Sequence, residues 1–357
     1  PGMFSSQNEQ DSRYYAMASM VPIMEPADSA EAHRFAKDAY DISEQFDTPV
    51  MMRSTVRISH TKTPVEVGER TEVAKRPYKK DCAKWVMMPA FAKPRRKVLV
   101  ERISKIREWV ETCPYNTIER NTPEGSNKRI GIICAGAVYQ HVKEACPDAD
   151  IFKLGVSWPL PAKALNEFAN SVDELHVVEE ASTYLSDAVK ATGVILDSFQ
   201  MPLPADGEIH PADILRSLGR KLPQHRDNEN DIPNRPPALC PGCPHRVIFK
   251  ELSRLKAIVT GDIGCYTLGA LPPLSAMDTT LDMGASVSMA HGFELALEGI
   301  EHRPVVGVIG DSTFAHSGLT SLINTVYNKG AGTVCILDNR TTAMTGQQGN
   351  PFNGITL

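Results

Sequence analysis

The chain has 357 residues, 42% of them apolar and 23% charged, and a net charge of −5. That length implies two or three domains, and the acidic balance argues against a nucleic-acid partner, which a basic face would meet. No run approaches the roughly 18 apolar residues that cross a bilayer. There is no secretory signal, and the eight cysteines are too sparse for a disulfide scaffold. A cytoplasmic protein is therefore expected, with any clustered cysteines acting as metal ligands or redox groups.

The first expected element is a helix over 28–46. Asp28 is placed to cap it, Glu31 stands at the capping-box position, and Ala32, Phe35, Ala36, Ala39 and Phe46 share one face. A strand-like run, Pro49 to Thr55, follows. From Ile58 to Asn127 the pattern breaks into a basic, proline-containing connector. It holds one amphipathic helix with Ile103, Ile106 and Val110 on one side, and the basic stretch Lys93 to Lys97 reads as a solvated loop.

The middle of the chain alternates more regularly. Arg129 to Ala135, Asp150 to Leu154 and Leu175 to Glu179 read as strands separated by helical sequence, which implies a parallel sheet with right-handed crossovers. Pro202 to Leu239 is proline-rich and charged and reads as an interdomain linker. Beyond it, strands are expected at Ala257–Thr260, Val305–Ile309 and Thr333–Leu337. A buried helix is expected over Gly284–Leu297 and another helix over Leu319–Asn328. The chain begins Pro1-Gly-Met-Phe and stops at Leu357 just after a glycine-rich loop, as an internal fragment of a longer polypeptide would.

Two motifs carry chemistry. Gly310-Asp311-Ser312 follows one strand, and Asp338-Asn339 follows the next strand but one helix later. Both fall at the carboxyl ends of strands, where open parallel sheets bind ligands. A carboxylate, an amide oxygen and a nearby main-chain carbonyl form a hard-oxygen set suited to magnesium, with diphosphate oxygens completing the octahedron. Gly310 lets the backbone approach closely. The bland alternative is a strand-end turn with Asp and Asn acting as caps.

The second motif is Cys240-Pro-Gly-Cys243-Pro-His245-Arg246, with Cys265 in Gly261-Asp-Ile-Gly-Cys265. By itself this is open to zinc, a redox pair or an iron–sulfur site. His245 could join Cys243 as a ligand only awkwardly from two residues away. Cys82, Cys113, Cys134, Cys146 and Cys335 are scattered and read mostly as buried free thiols.

These motifs resemble those of thiamine-diphosphate enzymes, with Ser312 replacing the third glycine of the signature and Asp338 its first asparagine. GDIGCYTLGALPPL, DMGAS and GDSTFAHSGLTSLIN are similar to the catalytic subunit of the indolepyruvate-type 2-oxoacid:ferredoxin oxidoreductase family. Ser5 to Arg13, Phe46 to Val50 and Arg57 to His60 resemble the closing part of its pyrimidine-binding domain. The segment with Val177-Val-Glu-Glu180 resembles its transketolase carboxyl-terminal-like domain.

The resemblance implies a multi-domain α/β thiamine-diphosphate fold with parallel sheets flanked by helices. Its parts would be the end of the pyrimidine domain at 1–65, a connector at 66–126 and an α/β domain at 127–200. A linker at 201–239 would lead to a truncated diphosphate domain at 240–357. It further implies cofactor contacts from Gly264, Gly310, Asp311, Ser312, Asn339, Thr341, Met344, Thr345 and Gly346. Magnesium would be held by Asp311, Asn339 and the Thr341 carbonyl, with main-chain amides near Gly264 and Gly346 assisting. Cys240, Cys243 and Cys265 would bind a 4Fe–4S cluster.

His316 stands six residues past Gly310 and is placed either to face substrate or diphosphate or to cap its helix. Met344 lies near the thiazolium by resemblance, or is a core methionine. The glutamate that activates the aminopyrimidine is expected upstream of Pro1, so the isolated fragment is expected to be inactive. The implied reaction is oxidative decarboxylation of arylpyruvates to acyl-coenzyme A, with electrons passed to ferredoxin and a smaller second subunit as partner. A non-oxidative 2-oxoacid decarboxylase and a non-catalytic subunit retaining the fold are the alternatives. A generic nucleotide site fails for want of a glycine-rich fingerprint after the first strand.

Overall fold

The computed structural model describes residues 9–353 apart from 71, 75, 76, 224–232, 234 and 235. Residues 5–8 of the first resembling segment and most of the charged centre of the expected linker lie outside the described residues. The chain divides into two compact units, Pro1–Arg226 and Asp227–Leu357.

In the first unit the helix Ser29–Phe46 forms as its sequence dictates. The Asp28 carboxylate accepts the Glu31 amide at 2.8 Å, while Glu31 reaches back to the Ala27 amide at 2.9 Å. The box thus closes one residue earlier than the usual pattern. Phe35 and Ile42 turn inward against Met24, Val110, Tyr115 and Val156.

Seven strands follow in chain order among the described residues of this unit: β1 Ile23–Met24, β2 Met51–Met52, β3 Thr117–Glu119, β4 Ile130–Ala135, β5 Asp150–Leu154, β6 Val156–Trp158 and β7 Glu174–Val178. They make two sheets, ordered β2-β1-β6 and β3-β5-β4-β7. β4 is parallel to both β5 and β7, as its apolar runs predict. Alternate residues of β4 feed opposite faces: Ile132 and Cys134 join Val142 and Ile151, while Ile133 and Ala135 join Phe152 and Leu165.

β3 and β6 are not anticipated by sequence. Each has three residues and pairs antiparallel, too short to show a period. β6 begins one residue after β5 ends, so the chain leaves one sheet for the other at Gly155. A Cβ there would lie 2.4 Å from the Tyr115 carbonyl oxygen, so only glycine passes.

Three sequence expectations need correction. Lys93 to Lys97 lie within the helix Pro89–Val110, not in a loop; its inner face is the expected Ile103, Ile106 and Val110. The strand-like run at Pro49 to Thr55 is reduced to the two residues of β2. The expected linker contains a folded helix, Pro211–Ser217, whose Ile214, with nearby Ile209, packs into the core beneath β4. Apolar residues at helical spacing there outweigh the surrounding prolines.

Arg13, only 3% exposed, is held by Asp11 at 2.6 Å and Glu179 at 3.1 Å. Its buried charge is thereby compensated. Cys113, Cys134 and Cys146 are buried free thiols, Cys335 is half-buried and Cys82 is exposed.

The second unit is built on β8 Ile258–Thr260, β9 Val305–Gly310 and β10 Thr333–Leu337, all parallel and ordered β10-β9-β8. The helix Ala285–Ala296 buries Ser286, Val287, Ala290 and His291 but leaves Leu295 exposed. It is therefore half-buried within this unit rather than buried on all sides. The segment Asp311–Thr313 runs through a π-helical turn, Phe314–Gly318, into the helix Leu319–Tyr327.

Candidate cofactor site

The site forms where the three parallel strands of the second unit end. Ile309 and Gly310 of β9 pair with Ile336 and Leu337 of β10, so Asp311 and Asn339 leave the sheet at the same edge. Gly310 is required by close approach: a Cβ there would meet the Tyr266 ring at 2.7 Å. From β8 the chain turns through Gly261 to Cys265. Asp262, fully buried, fixes that turn. Its carboxylate accepts the amides of Gly284 at 2.8 Å, Ser286 at 3.4 Å and Ile263 at 2.8 Å. Burial pushes the Asp262 carboxyl up, and these amides oppose it. An acid at the first turn of Ala285–Ala296 also suits the positive end of that helix.

These loops enclose a cavity of about 200 Å³. It is lined by His245, Ile263, Gly264, Cys265, Tyr266, Met283, Gly310, Asp311, Ser312, Thr313, Leu337, Asn339 and Thr341 to Thr345. Eight of the nine residues expected at the cofactor thus line this one cavity; Gly346 does not. The loop after Asn339 is closed by paired amides between Thr342 and Gln348 and by a 2.7 Å contact from the Thr345 hydroxyl to the Gln348 side chain.

Asp311 is 4% exposed, and its carboxylate accepts one hydrogen bond, from the Asn350 amide at 2.9 Å. No cation lies within ion-pair distance of it among the described residues. A buried carboxylate with one neutral partner is poorly compensated, and a bound cation would complete it. The Asn339 side-chain oxygen accepts the Thr341 amide at 3.3 Å, and among the described residues no donor reaches the Thr341 carbonyl. One carboxylate and two neutral oxygens fit magnesium.

Other expected residues behave differently. The Gly264 amide donates to the Thr267 hydroxyl at 3.0 Å and the Gly346 amide to the Ala343 carbonyl at 3.2 Å. Neither is free for a diphosphate, because each loop spends its own donor on closing its turn. His316 is exposed on the π-helical turn, outside the cavity, and caps nothing. Met344 is exposed and lines the cavity, so it is not a core methionine.

Cys240-Pro-Gly-Cys243 is a tight turn. Gly242 has φ 75, the Cys243 amide donates to the Cys240 carbonyl at 3.1 Å, and Arg246 Nε binds the same carbonyl at 3.0 Å. Cys265 lines the cavity, and its thiol is pushed up by burial and by the charges of Cys243 and Cys240. Among the described residues no three His, Cys, Asp or Glu side chains converge as a metal set.

Several lining residues were not expected at the cofactor, among them Tyr266 and His245, the latter weighed only as an awkward partner of Cys243. Tyr266 donates to the Ile263 carbonyl at 3.0 Å, and burial together with Asp262 pushes its phenol up to about 12. His245 is 5% exposed and packs edge-on to Tyr266, ring centroids 6.1 Å apart. Burial lowers its pKa and Asp311 acts the other way. The available signal was helical spacing: His245, Phe249 and Leu252 form the buried face of His245–Arg254.

Residues 262–356 match the thiamine pyrophosphate enzyme C-terminal TPP-binding domain. The second unit is thus similar to that thiamine-diphosphate-binding domain, and the cavity lies among the matched residues and His245. The indolepyruvate oxidoreductase subunit IorA of Thermococcus kodakarensis is 37% identical, over 100% of this chain and 61% of its own length. That of Methanothermobacter marburgensis is 38% identical, over 98% of this chain and 60% of its own. The chain is similar to these IorA subunits along its whole length and spans about three fifths of theirs. A solved 2-oxoglutarate:ferredoxin oxidoreductase from Magnetococcus marinus aligns with 59% of the chain and 45% of its own, at 14% identity and a TM-score of 0.41, too low to add to this.

Proposed function

We propose that the full-length protein is a thiamine-diphosphate-dependent 2-oxoacid oxidoreductase that oxidatively decarboxylates arylpyruvates. In this reading coenzyme A takes the acyl group and ferredoxin the electrons, a smaller second subunit completes the enzyme, and the protein is cytoplasmic. No helix among the described residues is long and apolar enough to cross a membrane. The observation that carries the reading is the buried Asp311, without an ion-pair partner among the described residues, lining one cavity with Asn339 and Thr341.

Those three residues would hold magnesium and, through it, the diphosphate. When bound, thiamine diphosphate supplies the nucleophilic carbon and the electron sink that decarboxylation needs. The chain's own contribution is positional. Asp262 ties the Ile263–Cys265 loop to the helix Ala285–Ala296, and the Thr342–Gln348 loop, closed by its own hydrogen bonds, supplies further lining residues. The first unit is assigned to the end of the pyrimidine domain, its connector and the transketolase-like domain.

A 4Fe–4S cluster on Cys240, Cys243 and Cys265 is the finer part of the proposal, supported by the Cys240-Pro-Gly-Cys243 turn and by Cys265 on the cavity wall. Because they do not converge into a ligand set, no electron step is assigned to them. That same observation favours a non-oxidative decarboxylase as the second reading. Iron content and visible absorption of the anaerobically purified full-length protein separate the two.

The primary test is calorimetric titration of magnesium and thiamine diphosphate into the full-length protein, wild type against Asp311→Ala. Magnesium-dependent binding that disappears in the variant is expected. No binding to folded wild type would remove the enzyme reading.

A further inference from the structure

We infer that His245 is a binding residue for the diphosphate of the cofactor, a role additional to the magnesium set and resting on the thiamine-diphosphate reading. His245 opens the helix His245–Arg254 and stands on the cavity wall with Asp311, Ser312 and Asn339. It is 5% exposed, yet neither ring nitrogen has a hydrogen-bond partner among the described residues.

A buried imidazole ordinarily satisfies its polar atoms within the protein. One that does not, on a cavity wall it shares with Asp311, Ser312 and Asn339, has a donor reserved for whatever enters. Three facts select the diphosphate. His245 lines the same cavity as Asp311 and Asn339, and the Asp311 charge acts on its ring. The amides of Gly264 and Gly346 are committed to their own turns. The cavity wall carries no lysine or arginine. A diphosphate there keeps negative charge beyond what one magnesium ion neutralises, and an imidazole N–H is the donor positioned to meet it.

The test titrates magnesium with thiamine diphosphate, and separately magnesium with inorganic pyrophosphate, into full-length wild type, His245→Gln and His245→Asn. Circular dichroism and the thermal midpoint check that the variants fold. A charge-assisted hydrogen bond predicts that both ligands weaken by about tenfold or more. Unchanged affinity for both would overturn the inference. So would weaker thiamine diphosphate with unchanged pyrophosphate, which would move the contact to the ring end. Failure of wild type to bind either ligand removes the cofactor reading itself, and the inference with it. Independently of any variant, diethyl pyrocarbonate labelling of His245 in wild type is followed by peptide mass spectrometry. Magnesium pyrophosphate is expected to protect His245 and thiamine alone to leave it reactive; labelling unaffected by pyrophosphate contradicts the role.

Discussion

Asp311→Asn is predicted to separate stability from cofactor binding. In the cofactor-free protein the Asp311 side chain is 4% exposed and holds one hydrogen bond, from Asn350. Burying a charge opposes folding by several kcal/mol, and one hydrogen bond to a charged group returns about 1.5–3 kcal/mol. The neutral amide keeps the shape, can still pair with Asn350 and removes the desolvation term. The variant without ligand should therefore be as stable as wild type or more stable, by about 0–2 kcal/mol. With ligand the order reverses. Wild type should gain about 2.7 kcal/mol at a cofactor concentration a hundredfold above Kd, while the variant gains little because an amide binds magnesium weakly. Thermal unfolding of both full-length proteins, with and without magnesium and thiamine diphosphate, measures all four states. An Asn variant destabilised by more than 2 kcal/mol without ligand, or still raised by the cofactor, would refute the reasoning.

Four further outcomes follow from the geometry. Asp262→Ala strips the acceptor from two buried amides and one half-buried amide and should destabilise the second unit by about 3 kcal/mol, seen in urea unfolding followed at that unit. Burial raises the Asp262 carboxyl, so its contribution is full at low pH and declines as pH rises through its folded value. Asp262→Asn should accordingly flatten the fall in stability above about pH 4. Asp11 is the opposite case: burial acts upward, but the Arg13 hydrogen bond and charge, with Ser182, hold its carboxyl down to about 2. Its contribution, about 1–2 kcal/mol after screening, is present above pH 4 and lost as pH falls towards 2. Asp11→Asn should thus destabilise at pH 7 and have little effect at pH 2 in denaturant titrations. Gly155→Ala should destabilise the first unit by about 2 kcal/mol or more, because its methyl would strike the Tyr115 carbonyl oxygen where the chain changes sheets. Soluble yield and thermal midpoint report it.

The sequence alone determined the parts whose causes are local. Apolar runs ending in Gly310 and Leu337 made β9 and β10, and the intervening helix made them parallel. Asp311 and Asn339 were therefore bound to leave the same edge, and the site was legible from spacing. The Asp28 cap and the Ile103, Ile106, Val110 stripe were legible for the same reason, since a period of 3.6 is written in consecutive residues.

Tertiary structure decided what depends on competition through space. Gly264 and Gly346 carry the amides the motif suggests, yet each turn consumes its own. His316 lies close to the motif in sequence and outside the cavity, while His245, 66 positions before Asp311, lines it. Strands β3 and β6 are fixed by partners more than thirty residues away, a pairing no three-residue pattern encodes. Motif spacing fixes where a strand ends; which donor remains unspent at that end is settled only when every neighbouring loop has closed.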